Sequence, residues 1–77
     1  MKYNVEYTDT FGGEANYSWV KRATIEVPEF TTQSLVMRRA KAAMGLTGVR
    51  GRVEDYSEHW KFKPYNSCTV MFVTIEY

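Results

Sequence analysis

Apolar and polar residues alternate at the start of the chain. The apolar side chains of Tyr3, Val5 and Tyr7 stand at every second position, and a period of two predicts a strand with one buried side. The alternation resumes over residues 17–27, after the segment 9–14, whose two glycines favour a turn. These two strands are therefore expected to form a hairpin.

The pattern changes after Pro28, which has no amide hydrogen to donate within a sheet and ends the second strand. Residues 31–44 are predicted to form a helix, with Thr31 as its N-cap and Phe30 packed on Leu35 as a hydrophobic staple. Apolar side chains recur there at helical spacing and form one stripe: Leu35, Val36, Ala40, Ala43 and Met44. We expect this stripe to pack on the sheet.

Two more strands are predicted after the helix. Alternation over residues 56–62 indicates a third strand, and the β-branched and aromatic segment 68–77 indicates a fourth. Residues 70–73 are apolar at every position, which is typical of a strand with neighbours on both edges. The expected fold is α+β: a four-stranded antiparallel sheet in ββαββ order, with one helix packed on one face, as a single compact domain over residues 1–77.

Composition excludes several classes of protein. The 77 residues are 44% hydrophobic and 25% charged, which is typical of a globular domain rather than a disordered chain. No apolar run approaches the roughly 20 residues that cross a bilayer, and the first residues do not form a signal peptide. One cysteine and one histidine predict neither an intramolecular disulfide nor a structural zinc site. We expect a soluble cytoplasmic protein with no cofactor, no metal and no membrane partner.

Charge is concentrated in the middle of the chain. Residues 30–53 contain five basic side chains and no acidic one. They are Arg38, Arg39, Lys41, Arg50 and Arg52. We expect these residues to form one exposed cationic surface that contacts a partner. The alternative is a solvated helix face whose cations favour the helix C-terminus and balance the acidic residues that follow, Glu54, Asp55 and Glu58.

Residues with catalytic chemistry give little support for an enzyme. His59 has no nucleophile beside it in sequence and is expected on the polar side of its strand. Cys68 begins an apolar strand, where a buried, unreactive thiol is the expected state. Glu54 and Asp55 point to opposite sides of a strand and cannot work as an acid–base pair. The sequence therefore predicts a non-enzymatic protein.

Two other surfaces were candidates for contact with a partner. Small antiparallel sheets can bind single-stranded RNA through exposed aromatic rings. The rings of the second and third strands are expected under the helix, so the opposite face is predicted to be cationic and poor in rings. Phe11, at the hairpin tip, is expected to fold back onto the core; if presented instead, it offers an anchor for a partner. Phe11 and the acidic run Glu54, Asp55 and Glu58 are the secondary candidates.

Two segments resemble small proteins encoded by phages and prophages: YTDTFGGEANYSWVKR over residues 7–22 and RRAKAAMGLTGVR over residues 38–50. In its size and single α+β domain the chain also resembles anti-CRISPR proteins that inhibit type I surveillance complexes. The resemblance implies an inhibitor without cofactor that binds a host protein complex and blocks its recruitment of target DNA. The alternative function, based on the charge distribution, is a small basic accessory protein that binds DNA or RNA directly.

Overall fold

The computed structural model describes residues 1–76, which form one helix and one five-stranded antiparallel sheet. In chain order the elements are β1 (Lys2–Phe11), β2 (Glu14–Glu26), α1 (Gln33–Ala43), β3 (Gly51–Asp55), β4 (His59–Pro64) and β5 (Thr69–Glu76). In space the strands are ordered β2-β1-β5-β4-β3, and each neighbouring pair is antiparallel. The predicted α+β class with one helix is confirmed.

The predicted number and order of strands are wrong. The sheet has five strands in ββαβββ order, because an additional strand, β3, precedes the segment predicted as the third strand and forms a hairpin with β4. Val53 is the one large apolar residue in β3, and this strand lies at the edge of the sheet. The residues beside Val53 in β3 are mostly charged, so this segment does not show the alternation of apolar and polar residues that predicts a strand. Tyr56, expected to begin the third strand, lies in the β3–β4 turn instead.

The central strand is β5, which pairs with β1 on one edge and β4 on the other. Val70, Met71 and Val73 are fully buried, as the uninterrupted apolar run predicted. This strand joins the hairpin of β1 and β2 to the hairpin of β3 and β4. It therefore holds together two parts of the sheet that are separated by the helix in sequence.

The core lies between α1 and one face of the sheet. Val36 and Ala40 on the helix are completely buried. They face a sheet surface to which three central strands contribute large side chains: Tyr3, Val5, Tyr7, Phe62, Met71 and Val73. At the rim of this core the rings of Tyr3 and Trp60 stack with centroids 5.6 Å apart. The alternation of β1 thus predicted its buried side correctly.

The helix starts later than predicted. Its N-cap is Thr32, whose Oγ1 accepts a hydrogen bond from the backbone N–H of Leu35 at 3.3 Å, whereas the hydroxyl of Thr31 donates to the carbonyl of Pro28. Phe30 is exposed on a backbone with a φ of 62°, so the predicted staple with Leu35 is wrong.

Across the described residues 1–76, no helix is long and apolar enough to cross a membrane.

The apolar stripe of α1 is also shifted from its predicted position. Ala43 is exposed, and Met37, which the predicted stripe omitted, is buried with Val36, Ala40 and Met44. Ala40 therefore marks the closest approach of the helix to the sheet, and Ala43 points to solvent. The two alanines are three residues apart in sequence, but Ala40 is buried and Ala43 is exposed.

Replacing Ala40 with aspartate is expected to unfold the domain. The change leaves an unpaired carboxylate between helix and sheet, at a cost of about 3–5 kcal/mol, which is most of the stability of a small domain. Ala43→Asp is the matched control and should melt close to the wild type. Thermal unfolding followed by circular dichroism measures both. Equal melting temperatures for the two variants would contradict this position of the helix.

Candidate functional site

A groove lies between α1 and the edge strand β3. The backbone of α1 comes nearest to that of β2, and β3 is the edge strand at the other end of the sheet. The helix therefore leaves the β3 side of the sheet partly uncovered. The resulting groove has a volume of about 430 Å³ and is lined by Met37, Arg38, Lys41 and Val53, among others. Val53 is 44% exposed, which is unusual for a β-branched side chain on the core side of a sheet.

Arg38 and Lys41 supply the positive charge of this groove. Arg38 is exposed, and Lys41 is half-buried with its Nζ 4.8 Å from the ring centroid of Phe62. The cation–π contact holds the Lys41 ammonium over the edge of the core. Within residues 1–76 neither cation forms an ion pair with a carboxylate. The groove therefore combines apolar surface with two positive charges that no anion of the described chain neutralises.

Two of the predicted basic residues point away from the groove. The guanidinium of Arg39 donates to the carbonyl of Glu26 at 3.5 Å, towards the end of β2. Arg52 is on the sheet face opposite Val53 and lies 3.8 Å from the carboxylate of Glu54. These two residues do not share a surface with Arg38 and Lys41.

Arg50 occupies an intermediate position. It lines a second hollow of about 490 Å³ together with Tyr7 and Pro64, and this hollow shares Gly48 with the groove. The structure thus brings Arg38, Lys41 and Arg50 along two adjoining hollows. The single surface expected for all five basic residues does not form, because the helix and β3 turn two of them in other directions.

The acidic run is divided between an ion-pair network and solvent. Glu54 lies 3.8 Å from Arg52 and 3.7 Å from Lys63, so its charge is balanced locally. Asp55 accepts a hydrogen bond from a turn backbone N–H at 2.9 Å. Asp55 and Glu58 are exposed. Only these last two present carboxylates to solvent.

Phe11 is presented to solvent rather than folded back, so the expected burial is wrong. Its side chain is 81% exposed. Gly12 and Gly13, with φ of 63° and 83°, form a tight two-residue turn. Phe11 and Glu14 form the last residue pair of the hairpin. The pairing of β1 with β5 ends two residues earlier, at Asp9 and Thr69. No neighbouring strand extends far enough to receive the ring.

The sheet face opposite α1, called the open face from here on, carries aromatic rings. Tyr56 stacks on His59 with centroids 5.1 Å apart and an interplanar angle of 16°, and His59 lies 6.3 Å from Phe72. The expectation that this face is poor in rings is wrong. Tyr56 lies on the open face rather than under the helix because it belongs to a turn. Phe72 lies in a run of apolar residues, whose pattern does not predict the side of the sheet on which each residue lies.

A cross-strand row of residues passes through these rings. Strand pairing places five side chains of the open face side by side, one from each strand: Glu54, Lys61, Phe72, Glu6 and Arg22. Lys61 Nζ lies 5.8 Å from the ring centroid of Tyr56 and 5.6 Å from that of Phe72. An ammonium group is thus held among the rings.

His59 and Cys68 lie far apart, because His59 is opposite Thr74 and Cys68 is at the other end of β5. His59 is half-buried on the polar side of β4, as predicted, and its ring is stacked rather than directed at a nucleophile. Cys68 is exposed just before β5, so its predicted burial is wrong. In the part of the chain that the structure describes, no three His, Cys, Asp or Glu side chains are grouped to hold a metal ion.

A bulge in β2 determines which residues reach the far side of the open face. Thr8 pairs with Val20 but Thr10 pairs with Ala15, so residues 16–19 form extra chain opposite Asp9. The bulge turns Tyr17 onto the open face, where its hydroxyl donates to Glu6 Oε1 at 2.6 Å. The predicted position of Tyr17 on the buried side of β2 is therefore wrong.

The carboxylate of Asp9 holds this bulge. It accepts hydrogen bonds from Ser18 Oγ at 2.5 Å, from Asn16 Nδ2 at 3.0 Å and from the Ser18 backbone N–H at 3.0 Å. The side-chain hydrogen bonds of Ser18 and then Asn16 keep the pKa of Asp9 well below its usual range. The ionised form is thus the one that the fold stabilises.

No protein-family model, no curated protein and no solved structure matches the chain. Functional interpretation therefore depends on the surfaces described above. Two of them combine charge with exposed apolar or aromatic area, the groove beside α1 and the open face.

Asp9 should make stability depend on acid pH. Because its pKa is lower in the folded than in the unfolded chain, its contribution is complete above about pH 4 and is lost as the pH falls towards the folded-state pKa. Asp9→Asn should be less stable than the wild type at pH 7, and the difference in the free energy of unfolding should decrease progressively below about pH 4. Urea unfolding of both proteins across this pH range measures this difference. A constant difference from pH 7 to pH 2.5 would show that Asp9 does not hold the bulge.

Proposed function

We propose that this protein is a non-enzymatic inhibitor that binds a defence complex in the cytoplasm of a bacterial host, of the type I CRISPR surveillance kind. The choice of target depends on the resemblance of residues 7–22 and 38–50 to phage-encoded proteins. The observation that supports binding to a protein is the groove between α1 and β3, where Val53 is uncovered beside two cations that no carboxylate of the described chain neutralises.

This groove has the features of a small protein-binding site. Protein interfaces place an apolar contact at the centre and polar groups around it. Val53 and Met37 supply the apolar contact, and Arg38 and Lys41 supply the charge. The ring of Phe62 restrains Lys41, so less side-chain entropy is lost when an anion binds. The complementary partner is an acidic protein surface that inserts an apolar side chain.

Inhibition by such a protein requires occupation of a surface and no chemistry. Bound at an acidic surface next to the path of the target DNA, the domain excludes the DNA by its own volume. The exposed carboxylates of Asp55 and Glu58 lie at the end of β3 and add negative charge on the same edge of the domain. A negative edge opposes the approach of DNA phosphates to the occupied site.

Direct binding of duplex DNA or RNA through the basic residues has less support. Arg39 and Arg52 point away from the groove, so three cations remain on adjoining hollows. The affinity of non-specific binding comes from the number of phosphates that the protein neutralises, and three is a small number. We therefore expect little affinity for random duplex DNA at physiological salt.

The double variant Arg38→Glu with Val53→Thr tests the groove. It reverses one charge and replaces the apolar contact by a β-branched polar residue, so the strand is preserved and stability should change by less than about 1 kcal/mol. Affinity for a purified type I surveillance complex should fall at least about tenfold, as expected for loss of an interface anchor. Surface-bound complex and a concentration series of each variant give the dissociation constants.

Arg39→Glu is the matched control, because it makes the same charge change on the next residue but outside the groove. It should bind within about twofold of the wild type. A parallel assay counts plaques of a targeted phage on cells with an active type I system, where the wild type and Arg39→Glu should restore infection and the groove variant should not. Failure of the wild type against every type I subtype would overturn the proposed target. Equal loss in both variants would overturn the groove.

A further inference from the structure

The rings of the open face form a continuous aromatic surface across two strands and a turn. Tyr56 stacks on His59, and His59 is next to Phe72. Tyr56 is 48% exposed, and the other two rings are half-buried. The neighbouring residue pair, Thr8 and Val70, is fully buried. Tyr56 is thus the most exposed ring of this surface.

Positive charge lies on the β4 side of Phe72, and the carboxylate of Glu6 lies on its β1 side. On the β3–β4 half of the open face, three cations, Arg52, Lys61 and Lys63, stand with one carboxylate, that of Glu54. Glu54 pairs with Arg52 and Lys63, and Lys61 lies within 6 Å of two ring centroids instead. Half of the face thus has a net charge of about +2 next to stacked aromatic side chains.

Polar side chains lie beside the rings on the same face. Strand pairing places Thr74 next to His59, and Asn4 next to Thr74. Both are exposed and carry donors and acceptors that suit the edges of nucleobases. Rings, cations and hydrogen-bonding groups are thus combined within one small area.

We propose that the open face binds single-stranded nucleic acid, with bases stacked on Tyr56 and Phe72 and a phosphate beside Lys61. Exposed rings on an antiparallel sheet accept unstacked bases, and a nearby cation neutralises the backbone. A duplex does not fit, because its bases already stack on one another and cannot reach a flat ring. This site is separate from the groove and does not depend on the proposed inhibitory function.

Fluorescence anisotropy with labelled ten-nucleotide probes tests the proposal. Thymidine and uridine decamers distinguish DNA from RNA, and a random-sequence duplex of the same length is the control ligand. The single strands should bind more tightly than the duplex. The logarithm of the association constant should fall with the logarithm of salt concentration at a slope of about −1.4 to −2.1, as expected for two to three phosphates.

Tyr56→Ala should weaken binding of the decamers about fivefold to 150-fold, which corresponds to the loss of one stacked base. Lys61→Gln should reduce the salt slope by about 0.7. Tyr65→Ala is the matched control, because Tyr65 is a tyrosine that is 69% exposed on the β4–β5 turn, away from the rings. It should leave both quantities unchanged.

Three results would overturn this assignment. The first is no binding of either decamer at 50 mM salt, and the second is tighter binding of the duplex. The third is an equal effect of Tyr56→Ala and Tyr65→Ala, which would show that the open face does not carry the contact. Circular dichroism of each variant establishes that it is folded before binding is measured, and both tyrosines are exposed enough for folding to survive.

Discussion

The single helix of this protein covers only part of one face of the sheet, and both candidate surfaces lie where it does not reach. Its backbone comes nearest to β2, and Val36 and Ala40 are buried with rings and aliphatic side chains of β1, β4 and β5. The edge strand β3 stays partly uncovered and keeps Val53 in contact with solvent. No helix of residues 1–76 covers the opposite face of the sheet, where the rings of Tyr56, His59 and Phe72 lie next to one another and to Lys61.

The central strand β5 has one side in the core and the other on the open face. Its residues alternate between these sides: Met71 and Val73 point towards the helix, and Phe72 points to the open face. Because Met71 and Val73 are fixed in the core, the position of Phe72 on the other side is fixed with them. The Asp9 hydrogen bonds have a comparable role at the far end of β1, where they define the bulge that brings Tyr17 to Glu6. Strand pairing thus positions Phe72 on the open face.

Sequence patterns predicted the parts of the fold in which one side of an element is buried. Alternation gave the buried side of β1, and the apolar run gave the central position of β5. The predictions were wrong where an element is largely exposed, because its apolar residues are then too few to show a period. β3 has one apolar side chain among charged residues, and the N-cap of α1 could be assigned to either of two adjacent threonines. Phe11 and Phe30 are aromatic but exposed, which hydrophobicity alone does not reveal.

For the candidate sites, the positive charge could be predicted from the sequence, but its arrangement could not. The three-residue spacing of Arg38 and Lys41 placed them on one helix face, and the structure has both in the groove. Arg39 and Arg52 diverge because the direction of Arg39 depends on the packing of α1, and that of Arg52 depends on the pairing of β3 with β4. The stack of Tyr56 on His59 depends on a turn that the sequence pattern assigned to a strand. Tertiary pairing, rather than local preference, decides these positions.

The central claim is that the helix leaves Val53 open to solvent while the other core-facing valines are covered. NMR relaxation of methyl groups in the presence of a soluble gadolinium chelate measures this directly, because the effect falls steeply with distance from the solvent. Val53 is 44% exposed, whereas Val36 and Val73 are 0% and 1% exposed. The methyl groups of Val53 should therefore relax much faster than those of the other two valines. Equal protection of all three valines would mean that the groove is closed in solution and would contradict the account.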